Sequence, residues 1–156
     1  MGIVAKYKYD GSVYADLIPE FNSGFTNYTI TDEVDSENSN HIIRTIESDS
    51  LPTLMRFGGN SLNDSEISNI DLSLLEVLDM NTSGLNVTSN MFRHCENLTS
   101  IACEWNVDNV TDAILMFDHC YKLQHLDVSK WNTTKFVNIY AMFRNCSLLS
   151  NIDVSN

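Results

Sequence analysis

The chain has 156 residues, 43% of them hydrophobic, and sets 21 acidic side chains against 9 basic ones for a formal charge of −12. That length is one ordinary domain or two small ones, and the apolar content excludes a disordered acidic tail. The charge excludes nucleic-acid binding and docking on an anionic membrane, which both need Lys and Arg, and no apolar run of about 18 residues is present to span a bilayer.

Residues 1–60 read as a small antiparallel β module. Met1 to Asp10 alternates Lys with Tyr and has no apolar h-region, so synthesis without a signal peptide is expected. Asp10-Gly11 is a turn signal ahead of a strand from Val13 to Ile18. Phe25 to Thr31 alternates, and His41 to Glu47 returns after DEVDSENSN, which predicts a hairpin with a long acidic tip. Leu54 to Phe57 is a third strand, ended by Gly58-Gly59. Residues 61–72 are polar and without a clear period, and they read as a connection into the second part, residues 73–156.

That second part is repetitive. MFRHCENLTSIAC from Met91, MFDHCYKLQHLDV from Met116 and MFRNCSLLSNIDV from Met142 align without gaps, at spacings of 25 and 26 residues. Leu75, Leu78 and Met80 form a degenerate earlier copy that lacks the Met-Phe and Cys positions. Within a unit, Met, Phe, Cys and Leu at offsets 0, 1, 4 and 7 lie on one face of a short helix. The L-x-V or I-x-V that follows reads as a short strand. Stacked units would bury a continuous apolar line, with the strands forming a parallel ladder.

The pattern MFxxCxxLxxIDVSxWNTxxVTxM, clearest in MFDHCYKLQHLDVSKWNTTKFVNIYAMFRNCSLLSNIDVSN, resembles the BspA-like leucine-rich repeat of bacterial and mycoplasma surface proteins and some bacteriophage proteins. The resemblance spans about residues 70 to 156. The unit from Met91 departs from it, reading IACEWN for IDVSxWN. It implies an α/β fold, a leucine-rich-repeat-like solenoid with one short strand and one short helix per unit. The implied role is adhesion or protein recognition, without catalytic residues or cofactor. Together with the missing signal segment, this gives the expected function: a non-enzymatic interaction module, a structural or receptor-facing part of a phage or prophage virion. A bacterial cell-surface adhesin is the second reading and a Cys/His enzyme the different-class third. Expected partners are a protein or a host receptor, in assembly with other subunits, at a virion or extracellular surface.

His94-Cys95 and His119-Cys120 recur in register, but adjacent helical residues point about 100° apart, and Asn145 breaks the His column. No CxxC is present for structural zinc, so buried thiols beside exposed polar neighbours are expected and no metal is assigned. The acidic run Asp32, Glu33, Asp35 and Glu37 lacks the Gly and ligand spacing of a calcium loop. Sequons at Asn27, Asn81, Asn86, Asn97, Asn109, Asn132 and Asn145 follow from Asn/Thr richness, with Asn serving turns.

If Leu78/Met80, Ile101/Cys103, Leu126/Val128 and Ile152/Val154 point inward, then Asp79, Ala102, Asp127 and Asp153 point outward. Val77, Ser100, His125 and Asn151 would share that face. Asp79, Ser100, Ala102, His125, Asp127, Asn151 and Asp153 are therefore the expected partner-binding residues. A last unit with no polar cap after it would expose an apolar end and favour association.

Overall fold

In the computed structural model, which describes residues 1–13, 17–58, 72–150 and 152, the centre of the sheet is β1 (Gly2–Asp10). From Ala5 to Tyr9 it buries Ala5, Tyr7 and Tyr9 and leaves Lys6 and Lys8 partly exposed, as period-two alternation requires. It pairs antiparallel with β4 (His41–Ser48) on one side and β6 (Leu74–Met80) on the other. β3 (Thr29–Val34) flanks β4 antiparallel, and β7 (Ser100–Ile101) runs parallel to β6, giving the order β3-β4-β1-β6-β7. β2 (Glu20–Phe21) and β5 (Met55–Arg56) form a separate two-stranded pair. One sheet thus draws strands from both sides of residue 60.

The β3–β4 hairpin read from alternation is present, but the acidic residues are placed differently. Asp32 and Glu33 lie within β3, facing Arg44 and Ile43, and only Asp35 and Glu37 fall in the connection. Asp32 grips buried Arg44 through two bonds of 2.7 and 2.6 Å, so an ion pair takes the place of a solvated tip. The described ends of the strand expected from Val13 to Ile18 are not extended: Val13 is in a turn, Leu17 and Ile18 are irregular, and residues 14–16 lie outside those described. Leu17 instead caps the inner sheet face, where its carbonyl accepts from Tyr7 Oη and Arg44 Nη1.

The repeats overturn the expectation of one strand and one helix per unit, and with it the leucine-rich-repeat solenoid. Helical conformation among the described residues is confined to residues 72 and 73. The Met-Phe-x-x-Cys segments are consecutive tight turns. Met91, Arg93 and Cys95 donate their N–H groups three residues back, to Thr88, Asn90 and Phe92 (3.0–3.2 Å). The alternate N–H groups of Thr88, Asn90, Phe92 and His94 point out of the segment. They donate to the carbonyls of Asp112, Ile114, Met116 and Asp118 in the next unit (2.8–2.9 Å). Ala113, Leu115, Phe117 and His119 repeat the arrangement on Asn138, Tyr140, Met142 and Arg144 (2.9 Å each). An α-helix would need those same N–H groups for the residue four back.

Left-handed residues mark each ribbon: Asn90 and His94, Leu115 and His119, Ala141 and Asn145, with φ between 51° and 62°. Two such residues four apart break any helix. The expected parallel strands shrink to β6–β7 and single bridges, Ser100 to His125 and Val87 to Asp112 to Asn138.

Because the ribbons pair in register, like residues lie over like. Phe57, Phe92, Phe117 and Phe143 form a column with ring centroids 5.4–5.5 Å apart and planes within 10°. Trp105 packs edge-on against Phe92 and Phe117, and Trp131 follows Trp105 at 5.5 Å. Each fully buried Phe contributes roughly 2–3 kcal/mol. Tyr7 meets Phe57 at 4.9 Å, edge to face, which joins the sheet to the column.

The column's first member comes from outside the repeats. Residues 54–58 occupy the place of a preceding unit: Leu54 bridges Val87, Phe57 and Gly58 donate to Met91 O, and Arg56 Nε donates to Ser89 O. A Cβ on Gly58 would fall 2.2 Å from Arg93 O, so only glycine fits there.

Candidate functional site

Of the expected partner-binding residues, Asp79, Ala102, His125 and Asp127 are exposed and Ser100 is half-buried, while Leu126 and Val128 point into the core. Asn151 and Asp153 lie outside the described residues, so the side-by-side pairing of Asp127 with Asp153 does too. Val77 does not share the outward face, for it is fully buried. The register of β6 against β1 shifts opposite Leu78, which lets Val77 and Met80, three apart, both turn inward. Asp127 is committed locally. Its Oδ1 accepts from Ser129 Oγ at 2.6 Å and Ser129 N at 2.9 Å, and these bonds hold its carboxyl below the usual carboxylate range. Asp127 is a turn former, as are Asn81, Asn132 and Asn138, whose side chains accept two residues ahead.

A charged cluster inside the ribbons is absent from the sequence-based expectations. Position three of each unit reads Arg93, Asp118, Arg144. Asp118, fully buried, takes Arg144 Nε and Nη2 at 2.8 Å each and Arg93 Nε at 3.3 Å. Burial pushes its carboxyl up, but Arg144 and His119 outweigh that and hold it below its ordinary value. At position four, His94 and His119 stack at 4.4 Å, and Asn145 continues the column at 2.9 Å from His119 Nε2. On the other side of the ring, His119 Nδ1 lies 2.8 Å from Asp118 Oδ1. The His residues are therefore not exposed neighbours of buried thiols: His94 is itself 4% exposed, because its left-handed backbone turns the ring onto the next unit.

His94, Asp118 and His119 bring three donor atoms within 4.8 Å of one another, a set with the composition of a metal site. The geometry does not suit an ion. The imidazole planes lie only 24° apart, so their in-plane lone pairs do not converge, and two guanidinium groups already hold Asp118. All four cysteines are free. Burial raises Cys103 to about 12, Cys146 to about 11 and Cys120 well above its ordinary value, so none of the three is a thiolate at neutral pH. Cys120 and Cys146 instead donate to Phe92 O and Phe117 O of the preceding unit, at 3.1 and 3.0 Å.

The last described unit exposes several apolar side chains. Val137, Ile139, Tyr140 and Leu148 are 52–85% exposed. Val137 and Ile139 line a groove of about 490 Å³ whose walls also include Val128, Trp131, Phe136, Met142 and Phe143. Trp131 is 6% exposed and its indole N–H has no acceptor among the described residues. The sequence signal was available: FVNIY, residues 136–140, is the most apolar of the inter-unit stretches.

Fold and site together define a β-sheet protein extended by in-register turn repeats, with exposed apolar side chains along the last described unit. Over residues 60–156 the chain matches the family described as Mycoplasma protein of unknown function, DUF285, and it belongs to that family. No curated protein and no solved structure matches it.

Proposed function

We propose that the chain is a non-catalytic protein-recognition module, with the exposed apolar residues of the last described repeat as its contact surface. The observation that carries this reading is the exposed cluster of Val137, Ile139 and Tyr140 beside an apolar groove. Exposed apolar side chains beside an apolar groove, on a chain of charge −12, support contact with protein. The protonated thiols and the arginine-saturated Asp118 support a role without catalysis.

The finer assignment, kinship with BspA-like surface proteins, rests on the MFxxC pattern. The two settings that go with it, a phage particle and a bacterial cell surface, stand as proposals of the same reading. Recovery of the chain from purified particles supports the first, and labelling of it on intact cells the second.

The test compares what the full chain and its Ile139→Asp variant retain from the cells that produce them. At least one protein held by the parent is expected to drop about tenfold with the variant, since burying an unpaired carboxylate at a contact costs more than 1.4 kcal/mol. Equal retention contradicts the reading. Retention that responds to Asp127→Asn instead moves the contact to the outward sheet face.

A further inference from the structure

The two edges of the main sheet are not alike. β7 ends one side after two residues, and the bridge from Ser100 to His125 carries it into the next unit. β3 ends the other side with six residues, all exposed, and no further strand lies beside them among the described residues. A bare edge invites pairing with another chain, and proteins commonly blunt it with a short strand, a bulge, Pro or charge. TITDEV has no Pro. Its register against β4 runs unbroken from Thr29 to Val34, whereas both ladders of β1 shift.

The ladder decides which groups face outward. Asp35 N–H closes the hairpin on His41 O at 2.9 Å. Bonding in an antiparallel pair alternates, so Glu33, Thr31 and Thr29 bond to β4 while Val34, Asp32 and Ile30 turn N–H and C=O to the free edge. Each of those three presents a donor and an acceptor, which the same edge of a second copy, run antiparallel, satisfies.

The acids of this edge would repel a second copy if they were bare, but the sheet's own cations hold them. Asp32 takes Arg44 through two bonds, Glu33 lies 3.3 Å from Lys6, and Asp35 lies 3.0 Å from Lys8. Ile30 and Val34 flank Asp32 on the same face by the period of two, and they are 36% and 61% exposed.

We propose that two copies of this chain pair antiparallel through β3, about a two-fold axis at Asp32. Ile30 of one copy then faces Val34 of the other, twice, and Thr31 faces Glu33 on the opposite face. The two Asp32 residues meet at the axis, each held by its own Arg44. The two five-stranded sheets become one continuous sheet. A register centred on Thr31 would set Ile30 against Asp32 and lose both aliphatic pairs, so the side chains select the axis. The interface uses the same patch on both copies and closes at two. It is separate from the groove beside Ile139 and adds self-assembly to the recognition reading.

Sedimentation over a concentration series, with amide exchange on the full chain, tests this. The parent is expected to dimerise, and exchange at Ile30, Asp32 and Val34 to slow at least tenfold as concentration rises, while Thr29, Thr31 and Glu33 stay protected throughout. Val34→Lys, at an exposed position, is expected to weaken the dimer about a hundredfold, tenfold at each of its two symmetric contacts. Register is read by cross-linking. Thr31 and Glu33 form a close, non-hydrogen-bonded pair across the axis, a separation that a disulfide spans. A mixture of Thr31→Cys and Glu33→Cys chains, treated with oxidised glutathione, is expected to give more disulfide-linked dimer than either variant alone.

A monomer at every concentration overturns the proposal, as does a dimer that Val34→Lys leaves intact. Protection of Ile30, Asp32 and Val34 that ignores concentration would mean that the chain covers its own edge. Cross-linking of Thr31→Cys chiefly with itself would move the axis to Thr31 and overturn the register. The recognition reading fails separately, because Ile139→Asp is expected to leave the dimer unchanged.

Discussion

Asp118 is the residue on which the ribbons converge. It is fully buried, yet ionised, because Arg93 from the unit before and Arg144 from the unit after bind it directly. Replacing it with Asn removes the charge that two guanidinium groups were arranged around, and Asp118→Asn is expected to lower the unfolding free energy by about 3 kcal/mol. The folded carboxyl is more acidic than the unfolded one, so its stabilisation is complete above the ordinary Asp value of about 3.9 and fades as pH falls through the folded value. Urea titrations at pH 7 and pH 3 check this. The gap between parent and variant should narrow at the lower pH, and a gap that stays constant would contradict the account. The Arg-Asp-Arg alternation at one repeat position was legible in the sequence as a column of opposite charges. It was missed because a helical reading sent those side chains to solvent. The same reading missed that His, His and Asn at the next position are the residue types that tolerate φ > 0.

At the scale of the element, what separates a turn ribbon from a helix is where every second N–H goes. Offsets of 0, 1, 4 and 7 suit a helical face, and they equally suit successive turns whose free amides are claimed by another unit 24 or 25 residues away. Hydrophobic period alone does not distinguish the two, because it records which side chains are buried and says nothing of the amide's partner. Strands were read more faithfully. The alternations that became β1, β3 and β4 are local, whereas residues 54–58 act as a pseudo-unit through contacts with residues 87–93 that no local pattern discloses. The ribbons make a direct claim about backbone conformation. Ala141 sits at φ 51°, where a Cβ is strained. Ala141→Gly is therefore expected to stabilise the chain by about 1 kcal/mol, the reverse of the usual effect of a new glycine. Chemical denaturation reads it, and a loss of stability of about that size would place residue 141 in a helix after all.

For the whole molecule, the sheet and the stack are one apolar line. It begins at Tyr7 and passes through Phe57, Phe92 and Phe117 to Phe143, with residues 54–58 covering the side of Phe92 that faces away from the later repeats. The excess of twelve negative charges is distributed unevenly along the sequence, and residues 119–150 hold Lys122, Lys130, Lys135 and Arg144 against Asp127 alone. Two of those cations are already paired, Lys130 with Glu104 and Arg144 with Asp118. Residue-resolved amide exchange on the full chain, free of any partner, tests this architecture most directly. Ala113, Leu115, Phe117 and His119, bonded to the next unit, should exchange slowly, while Ile139, Ala141, Phe143 and Asn145 should exchange at least a hundredfold faster. Equal protection of both sets, with continuous protection from Met142 to Leu149, would mean that the last described unit is helical.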